Sequence, residues 1–421
     1  VKALAPNDNS KNQIYFGGNF EVLNIFPIKD ITTDSSQTKN TATFKSKLDF
    51  YWLNDDGELN IAPNSQFILY PEYPEVRFSG FLLGCKNPPS NLMTSRIEQR
   101  LLFIGVNSDD KTIGYVTSPE SNLANEFNQI ENIEIQGVFK VLEIQNNEIL
   151  KNSRKELIKQ LKRIHELGWI ESKKLSTRNE IVACNSSNCG GYTLEAELGI
   201  IPNGNSEPDY LGWELKQFKV KKFETFKNEV ITLMTPEPTG GFYRDKSLRE
   251  FLEKYGYADK RGREDRMNFG GVHKCDIEHS TTGLKLILDG FDKSTGKINN
   301  PAGSIILLDK NDTIAASWSF TSLMKHWNQK HNKASYIPSI SETDPIRKYA
   351  YGNQIILGTG TDFILFLQQM ALGNIYYDPG IKIENFSSDK PTSKKRSQFR
   401  IKSGFLKELY RLNEIVDVLK T

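Results

Sequence analysis

Glu207-Pro208-Asp209-Tyr210-Leu211-Gly212-Trp213-Glu214-Leu215-Lys216 is the stretch on which the reading of this chain turns. Tyr210 to Phe218 reads as a strand, and side chains alternate along a strand. Glu214 and Lys216 therefore share one face, while Trp213 and Leu215 point to the other. This separates a charged, wet face from an apolar packing face. Asp209, at the start of the strand, can curl towards the point that Glu214 reaches. Two carboxylates meeting there would hold a hard divalent cation through oxygen, with waters completing the shell of a magnesium ion. The Leu215 carbonyl is a further candidate ligand, because the backbone of the intervening residue lies beside its neighbours' side chains. Lys216, next to such a cation, can position or deprotonate a water and stabilise charge on a phosphate.

The chain around that stretch has 421 residues, and at roughly 150 residues per domain this suggests two or three domains. Residues 1–150 read mostly as short strands: Gln66–Tyr70, Val76–Leu82 and Arg100–Val106 are β-rich, with turns at Asn54-Asp55-Asp56-Gly57 and Asn107-Ser108-Asp109-Asp110. Residues 117–132 are polar and would cap or edge that sheet. The character changes near Asn152, where Ser153-Arg154-Lys155-Glu156 fits a capping box. Leu157, Leu161, Ile164 and Leu167 then form one apolar helical stripe, with Gly168 as its stop. The boundary falls at about 145–152, which gives a mainly β domain over 1–148 and a mixed α/β domain over 149–421. In the second, Leu194–Leu198, Thr321–Lys330 and Asp362–Leu372 read as helices. Leu284–Leu288 and Ser304–Leu308 read as strands, and Ile375–Ile383 as a strand pair about Asp378-Pro379-Gly380.

Composition narrows the class. The net charge of +2 hides an uneven distribution: residues 1–150 hold 12 Lys+Arg against 19 Asp+Glu, and the remaining 271 hold 42 against 33. A basic portion of that kind suits a polyanionic partner, though solvated helix faces also collect lysine. No apolar run is long enough to span a membrane. The start lacks a secretory layout, and four cysteines are too few for a disulfide framework, so a reducing cytoplasm is the natural reading. Neither a phosphate loop of the Walker type nor a dinucleotide fingerprint is present, and Gly358-Thr359-Gly360 is too short to count. Cys184, Cys189, His273 and Cys275 can be read as a zinc site, but their spacing is not a familiar knuckle; buried or incidental cysteines are the simpler reading. Trp318 and Trp327 read as core.

Pro208-Asp209 followed by Glu214-Leu215-Lys216 is the nuclease pattern PD…(D/E)xK, which by itself also fits a salt-bridged strand face. Its context is more specific. Leu167-Gly168-Trp169-Ile170-Glu171, Gly190-Gly191-Tyr192-Thr193-Leu194-Glu195, Thr232-Leu233-Met234-Thr235-Pro236-Glu237-Pro238-Thr239, Ser317-Trp318-Ser319-Phe320-Thr321-Ser322-Leu323 and Gln398-Phe399-Arg400-Ile401 follow in order. Together they resemble the MvaI/BcnI family of restriction endonucleases, relatives of the MutH nicking enzyme, over about residues 155–420. The resemblance implies a restriction-endonuclease-like α/β nuclease domain in which Asp209, Glu214 and Lys216 are catalytic and Glu195 is an additional active-site glutamate. Glu197 is the backup for Glu195, although on a helix it would point elsewhere. The resemblance also implies Mg²⁺-dependent hydrolysis of double-stranded DNA by a monomer that cuts one strand at a time. A methyltransferase protecting host DNA would be its genetic partner in a prokaryotic cytoplasm.

Reading a target takes phosphate contacts for position and base-edge contacts for sequence. Lys390 to Arg400 is basic and flanked by turn formers. Arg396 and Arg400 are the candidates for base readout, since arginine takes both major-groove acceptors of guanine. Lys394 and Lys395 suit phosphates. Tyr243, Arg244, Arg261, Arg263 and Arg266 form a second basic and aromatic region able to line the cleft. The loop departs from the family in lacking its target-reading histidines. Outside that match, Leu4-Ala5-Pro6-Asn7-Asp8-Asn9, Gly17-Gly18 and Ile25-Phe26-Pro27 resemble, over a short stretch, the effector pseudobarrel of EcoRII and UbaLAI. That implies a second DNA copy at the N-terminal domain, served by local patches such as Lys45, Lys47 or Arg77. The alternatives are a MutH-like nicking or modification-dependent endonuclease, and a catalytically silent DNA-binding protein.

Overall fold

The computed structural model describes residues 1–8, 12–18, 26–28, 31–34, 43–71, 75–107, 109, 111–131, 133–142, 153–186, 188–202, 208–224 and 228–420. The boundary expected at 145–152, residues Glu207, Ser108 and Asp110, and Asn9 and Ile25 of the N-terminal resemblance lie outside these. Two compact units are present: Val1–Asn146 with Lys297–Ala302, and Asn147–Gly296 with Gly303–Thr421. The whole is a mixed α/β structure, rich in strands. Among the described residues no helix is long and apolar enough to cross a membrane.

The first unit is built on two five-stranded sheets. One runs in the order Lys2–Leu4, Arg100–Val106, Thr112–Thr117, Phe50–Leu53, Leu59–Ile61, and the other Gln13–Gly17, Glu75–Ser79, Gln66–Tyr70, Thr43–Lys47, Ile31–Asp34. Alternation explains their packing: in Glu75–Ser79, Val76 and Phe78 are buried while their neighbours are half-exposed. Phe16 stacks among Phe26, Phe67, Phe78 and Phe139 with ring centroids 5.0–5.8 Å apart, the spacing that aromatic pairs prefer. The polar stretch 117–132 contains the helix Asn122–Asn128, which docks Ala124 and Phe127 against Leu101.

In the second unit the long strand Lys333–Glu342 organises a six-stranded sheet. It pairs in parallel with Glu214–Lys219 and antiparallel with Lys348–Tyr351 and Gln354–Thr359. Ile170–Glu171 and Leu412–Asp417 lie at the ends. The helix Ser153–Glu166 covers this sheet through Leu157, Ile158, Leu161 and Ile164, which join Trp213, Leu215 and Ile337 in one apolar core. Leu167 departs from the expected stripe: the helix ends at Glu166, and Leu167 lies in the turn that Gly168, at φ 65°, completes, 49% exposed. The expected capping box also differs. Ser153 is already in the helix, and the Glu156 carboxylate accepts from Gln160 and Lys159 on the same helix.

The other expected helices are present with shifted bounds. Helices cover Cys189–Glu197, Phe320–His331 and Phe363–Ala371, the last capped by Asp362, whose carboxylate accepts from the Leu365 amide at 2.9 Å. Strands Lys285–Asp289 and Ser304–Leu308 pair with each other. Ile375–Tyr377 and Gly380–Glu384 are both strands but enter different sheets, the first beside Phe399–Lys402 and the second between Arg266–Gly270 and Thr392–Lys394. Trp318 and Trp327 are fully buried. Gly358 is a packing residue: a Cβ there would run into the ring of Tyr410.

The decisive stretch does not run as a strand from Tyr210. Tyr210 and Trp213 exchange main-chain hydrogen bonds of 2.9 and 2.8 Å across Leu211 and Gly212. Both central residues are left-handed, with φ of 47° and 81°, the signature of a type I′ turn. The strand starts at Glu214. The turn folds Asp209 back beside Leu215, whereas an extended chain would carry it away. A side chain at Gly212 would meet no neighbour within 4 Å, so the cost of replacing it is conformational. Gly212→Val is expected to destabilise the protein by about 1–3 kcal/mol, measured by chemical denaturation, because a β-branched residue resists positive φ.

Candidate active site

The turn and the strand bring together the residues that the sequence singles out. The Leu215 amide donates to Asp209 Oδ2 at 3.0 Å, which leaves Oδ1 free of that bond. Glu214 is buried, with 1% exposure, and Lys216 on the same face pairs directly with its Oε1. Trp213 and Leu215 point the other way into the apolar core. The helix Cys189–Glu197 supplies Glu195, whose carboxyl is pushed up to about 7 by burial and then by the charges of Asp209 and Glu214. Glu197 turns to Arg163 at 3.2 Å and Lys173 at 2.5 Å. Glu214 is also raised to about 7; burial is the largest cause, Asp209 adds to it, and Lys216 and Lys330 oppose it.

Sequence reasoning missed two members of this cluster, both on the helix Phe320–His331. Lys330 Nζ lies 3.5 Å from Glu214 Oε2 and 3.9 Å from Asp209 Oδ1. His326 is pushed down to about 4 by burial, then by Lys216 and Lys330, and so stays neutral. No local signal marks Lys330: more than a hundred residues separate it from Lys216, and pairing of its helix's following strand with Glu214–Lys219 brings them together.

The donor set fits a hard cation. Glu214 Oε2 is buried and has no hydrogen-bond partner among the described residues, an expensive state for a carboxylate oxygen. Together with Asp209 Oδ1 it offers oxygen ligands of the kind that magnesium takes. Among the described residues no group of three or more His, Cys, Asp or Glu side chains is placed to hold a metal, so the remaining ligands would be main-chain oxygen and water. The zinc reading is corrected. Of the cysteines expected to be buried or incidental, Cys184, Cys189 and Cys275 are buried, but Cys184 and Cys189 are bonded to each other in a disulfide. His273 is fully used, its two ring nitrogens meeting the Gly271 carbonyl and the Thr282 hydroxyl at 2.9 Å each.

The basic residues fall into separate settings. Lys394 and Arg396 meet Arg261, Arg263 and Arg266 around an open cavity of about 600 Å³, with Asp259 as the one acidic lining residue among those described. Two sequence-distant basic regions thus share one wall. Arg266 reaches Asp259 at 3.5 Å and Glu384 at 3.7 Å, which orients it. Arg400 is held by Asp378 at 2.6 Å and by the Thr232 hydroxyl at 3.1 Å. Tyr243 departs from its expected place on a cleft wall: it is buried, and its hydroxyl donates to Glu237 at 2.7 Å. Lys395 lies 6.0 Å over its ring, and Arg244 is exposed. In the first unit Lys45 pairs with Asp34 at 2.5 Å and Arg77 with Glu75 at 2.8 Å.

A buried glutamate, a half-buried aspartate and a lysine thus meet at the head of a strand, with a further glutamate on a facing helix and a basic cavity in the same unit. A profile of the MvaI/BcnI restriction endonuclease family matches residues 158–410, and the chain belongs to that family. Two solved structures are similar. Restriction endonuclease MvaI in complex with its cognate DNA substrate is 20% identical, with 64% of this chain and 98% of that chain covered and a TM-score of 0.46. MvaI in the absence of DNA is 19% identical, with 66% and 100% covered and a TM-score of 0.34. No curated protein matches the chain.

Glu195 and Glu214 are raised from the ordinary 4.5 to about 7, so folding favours their neutral forms. Their contribution to stability is complete below about pH 4.5 and is lost as pH rises through 7. Glu195→Gln keeps the neutral shape at every pH. In EDTA it is expected to be more stable than the parent protein at pH 8, by on the order of 1–3 kcal/mol, with little gain at pH 5. Urea denaturation at the two pH values measures the difference.

Proposed function

We propose that this chain is a magnesium-dependent, sequence-specific type II restriction endonuclease that hydrolyses phosphodiester bonds of double-stranded DNA. The observation that carries the reading is the convergence of Asp209, Glu214, Lys216 and Glu195 on one point, with an orphaned carboxylate oxygen among them. Asp209, Glu214 and the Leu215 carbonyl would hold the metal, which when bound supplies Lewis-acid stabilisation of charge on the phosphate. The Lys216 ammonium orients the attacking water and stabilises charge building on the phosphate oxygens. Glu195 fixes the field around Lys216 from the helix side. The water oxygen bonds to phosphorus, the sugar oxygen leaves on the opposite side, and one water is consumed per strand cut.

DNA is gripped by the basic cavity, with Arg396 and Arg400 reading bases and Lys394 and Lys395 on phosphates. Arg400 is already aimed by Asp378 and Thr232, the preorganisation that a base-reading side chain needs. Tyr243 supports Lys395 from beneath. The enzyme acts as a monomer that nicks the strands in turn, in a prokaryotic cytoplasm where a cognate methyltransferase protects the host. The first unit is the effector pseudobarrel for a second DNA copy. Its support is Lys47, which lines an open cavity of about 600 Å³, since Lys45 and Arg77 are engaged by acids.

Plasmid cleavage with Mg²⁺ tests the reading. Lys216→Ala is expected to lose at least about 10²-fold in cleavage rate while binding DNA within about threefold of the parent. Equal loss of binding would remove Lys216 from its catalytic role, and cleavage confined to methylated plasmid would replace this reading with a modification-dependent one. For the cavity, Arg263→Ala with Arg266→Ala should flatten the slope of log affinity against log salt by about 2, as read from binding titrations at several salt concentrations.

A further inference from the structure

Lys330 stands between the two carboxylates without being bonded to either. Its ammonium is 3.5 Å from Glu214 Oε2 and 3.9 Å from Asp209 Oδ1. These are ion-pair separations, too long for good hydrogen bonds. By contrast, Lys216 takes Glu214 Oε1 directly. The Oε2 atom that Lys330 faces is buried and lacks a hydrogen-bond partner among the described residues. Asp209 is in the same position, with Oδ2 tied to the Leu215 amide and Oδ1 turned to Lys330. The two oxygens best placed for a metal are therefore the two that Lys330 attends.

We propose that Lys330 is a stand-in cation: it neutralises Asp209 and Glu214 while no metal is bound, and moves aside when a divalent ion loads. The inference rests on the reading of Asp209 and Glu214 as metal ligands. Charge requires some such arrangement, because a carboxylate with 1% exposure cannot rely on water. An ammonium and a divalent ion within about 4 Å of the same oxygens repel each other strongly in a dry site. Of the two lysines, Lys330 is the one free to leave. Its four-carbon stem is flexible and makes no close contact with the oxygens, whereas Lys216 is bonded to Oε1 from within the strand. In the last turn of the helix Phe320–His331 a cation is also favoured by the helix dipole wherever it swings. Metal loading thus becomes an exchange of cations. Lys330 keeps the empty site folded and lowers its affinity for metal, acting through the ligands as a positioning residue.

The test uses the full chain, its Lys330→Met, Lys330→Arg and Asp209→Asn variants, and Mn²⁺, an oxygen-seeking ion visible by electron paramagnetic resonance. Titration counts bound Mn²⁺, and thermal melts are recorded in EDTA and in saturating Mn²⁺. Lys330→Met is expected to bind Mn²⁺ roughly tenfold more tightly than the parent. It should melt about 4 °C lower in EDTA, with the gap closing in Mn²⁺. Lys330→Arg, which keeps the charge, should restore melting in EDTA. Asp209→Asn should lose the Mn²⁺ site. If Lys330→Met binds Mn²⁺ no more tightly than the parent, or melts alike in EDTA, the stand-in role is overturned while the metal reading stands. If the parent and Asp209→Asn bind Mn²⁺ alike, the metal reading itself fails and this inference with it.

Discussion

A carboxylate sealed from water at the head of a strand is the constraint around which the second unit is arranged. Glu214 is held in place by parallel pairing of Glu214–Lys219 with Lys333–Glu342, and its neighbours on either side, Trp213 and Leu215, are locked into the apolar core. The side chain cannot retreat into solvent without pulling these residues out. Cations must therefore come to it. Lys216 arrives from the same strand and Lys330 from the helix that leads into the partner strand, and Oε2 is left without a hydrogen bond among the described residues.

The turn before the strand makes the second carboxylate available. With Leu211 and Gly212 both left-handed, Tyr210 and Trp213 close a two-residue loop and Asp209 is carried back to the Leu215 amide. One hydrogen bond occupies one carboxylate oxygen and presents the other. The helix Cys189–Glu197 then brings Glu195 into the field of both, and burial, with the neighbouring carboxylates adding to it, raises Glu195 and Glu214 together.

Much of this was legible in the chain. Period-two alternation at Trp213–Lys216 separated the charged from the packed face, and the helical stripe at Leu157, Leu161 and Ile164 identified a core helix. The failures have physical causes. Leu211 conceals the turn, since nothing about a leucine announces positive φ. Leu167 continues the spacing of the stripe, but the helix ends at Glu166, where the chain begins the turn completed at Gly168. Tyr243 read as part of a basic and aromatic region able to line the cleft, yet its hydroxyl found Glu237 and its ring was buried. The disulfide between Cys184 and Cys189 depends on how the loop between a strand and a helix closes, and spacing does not report that.

The sequence by itself determined the chemical types at the site and their local order: a carboxylate, then a carboxylate and a lysine one residue apart, on a face opposite to Trp213 and Leu215. It also determined the acidic first part and the basic remainder, because composition does not depend on folding. Only the tertiary structure decided which distant groups join them. Lys330 meets Glu214 because its helix leads into a strand that pairs with Glu214–Lys219. Lys394 and Arg396 meet Arg261, Arg263 and Arg266 because Gly380–Glu384 lies between Arg266–Gly270 and Thr392–Lys394 in one sheet. Local spacing encodes which face a side chain takes, whereas pairing between strands far apart in the chain sets which faces meet.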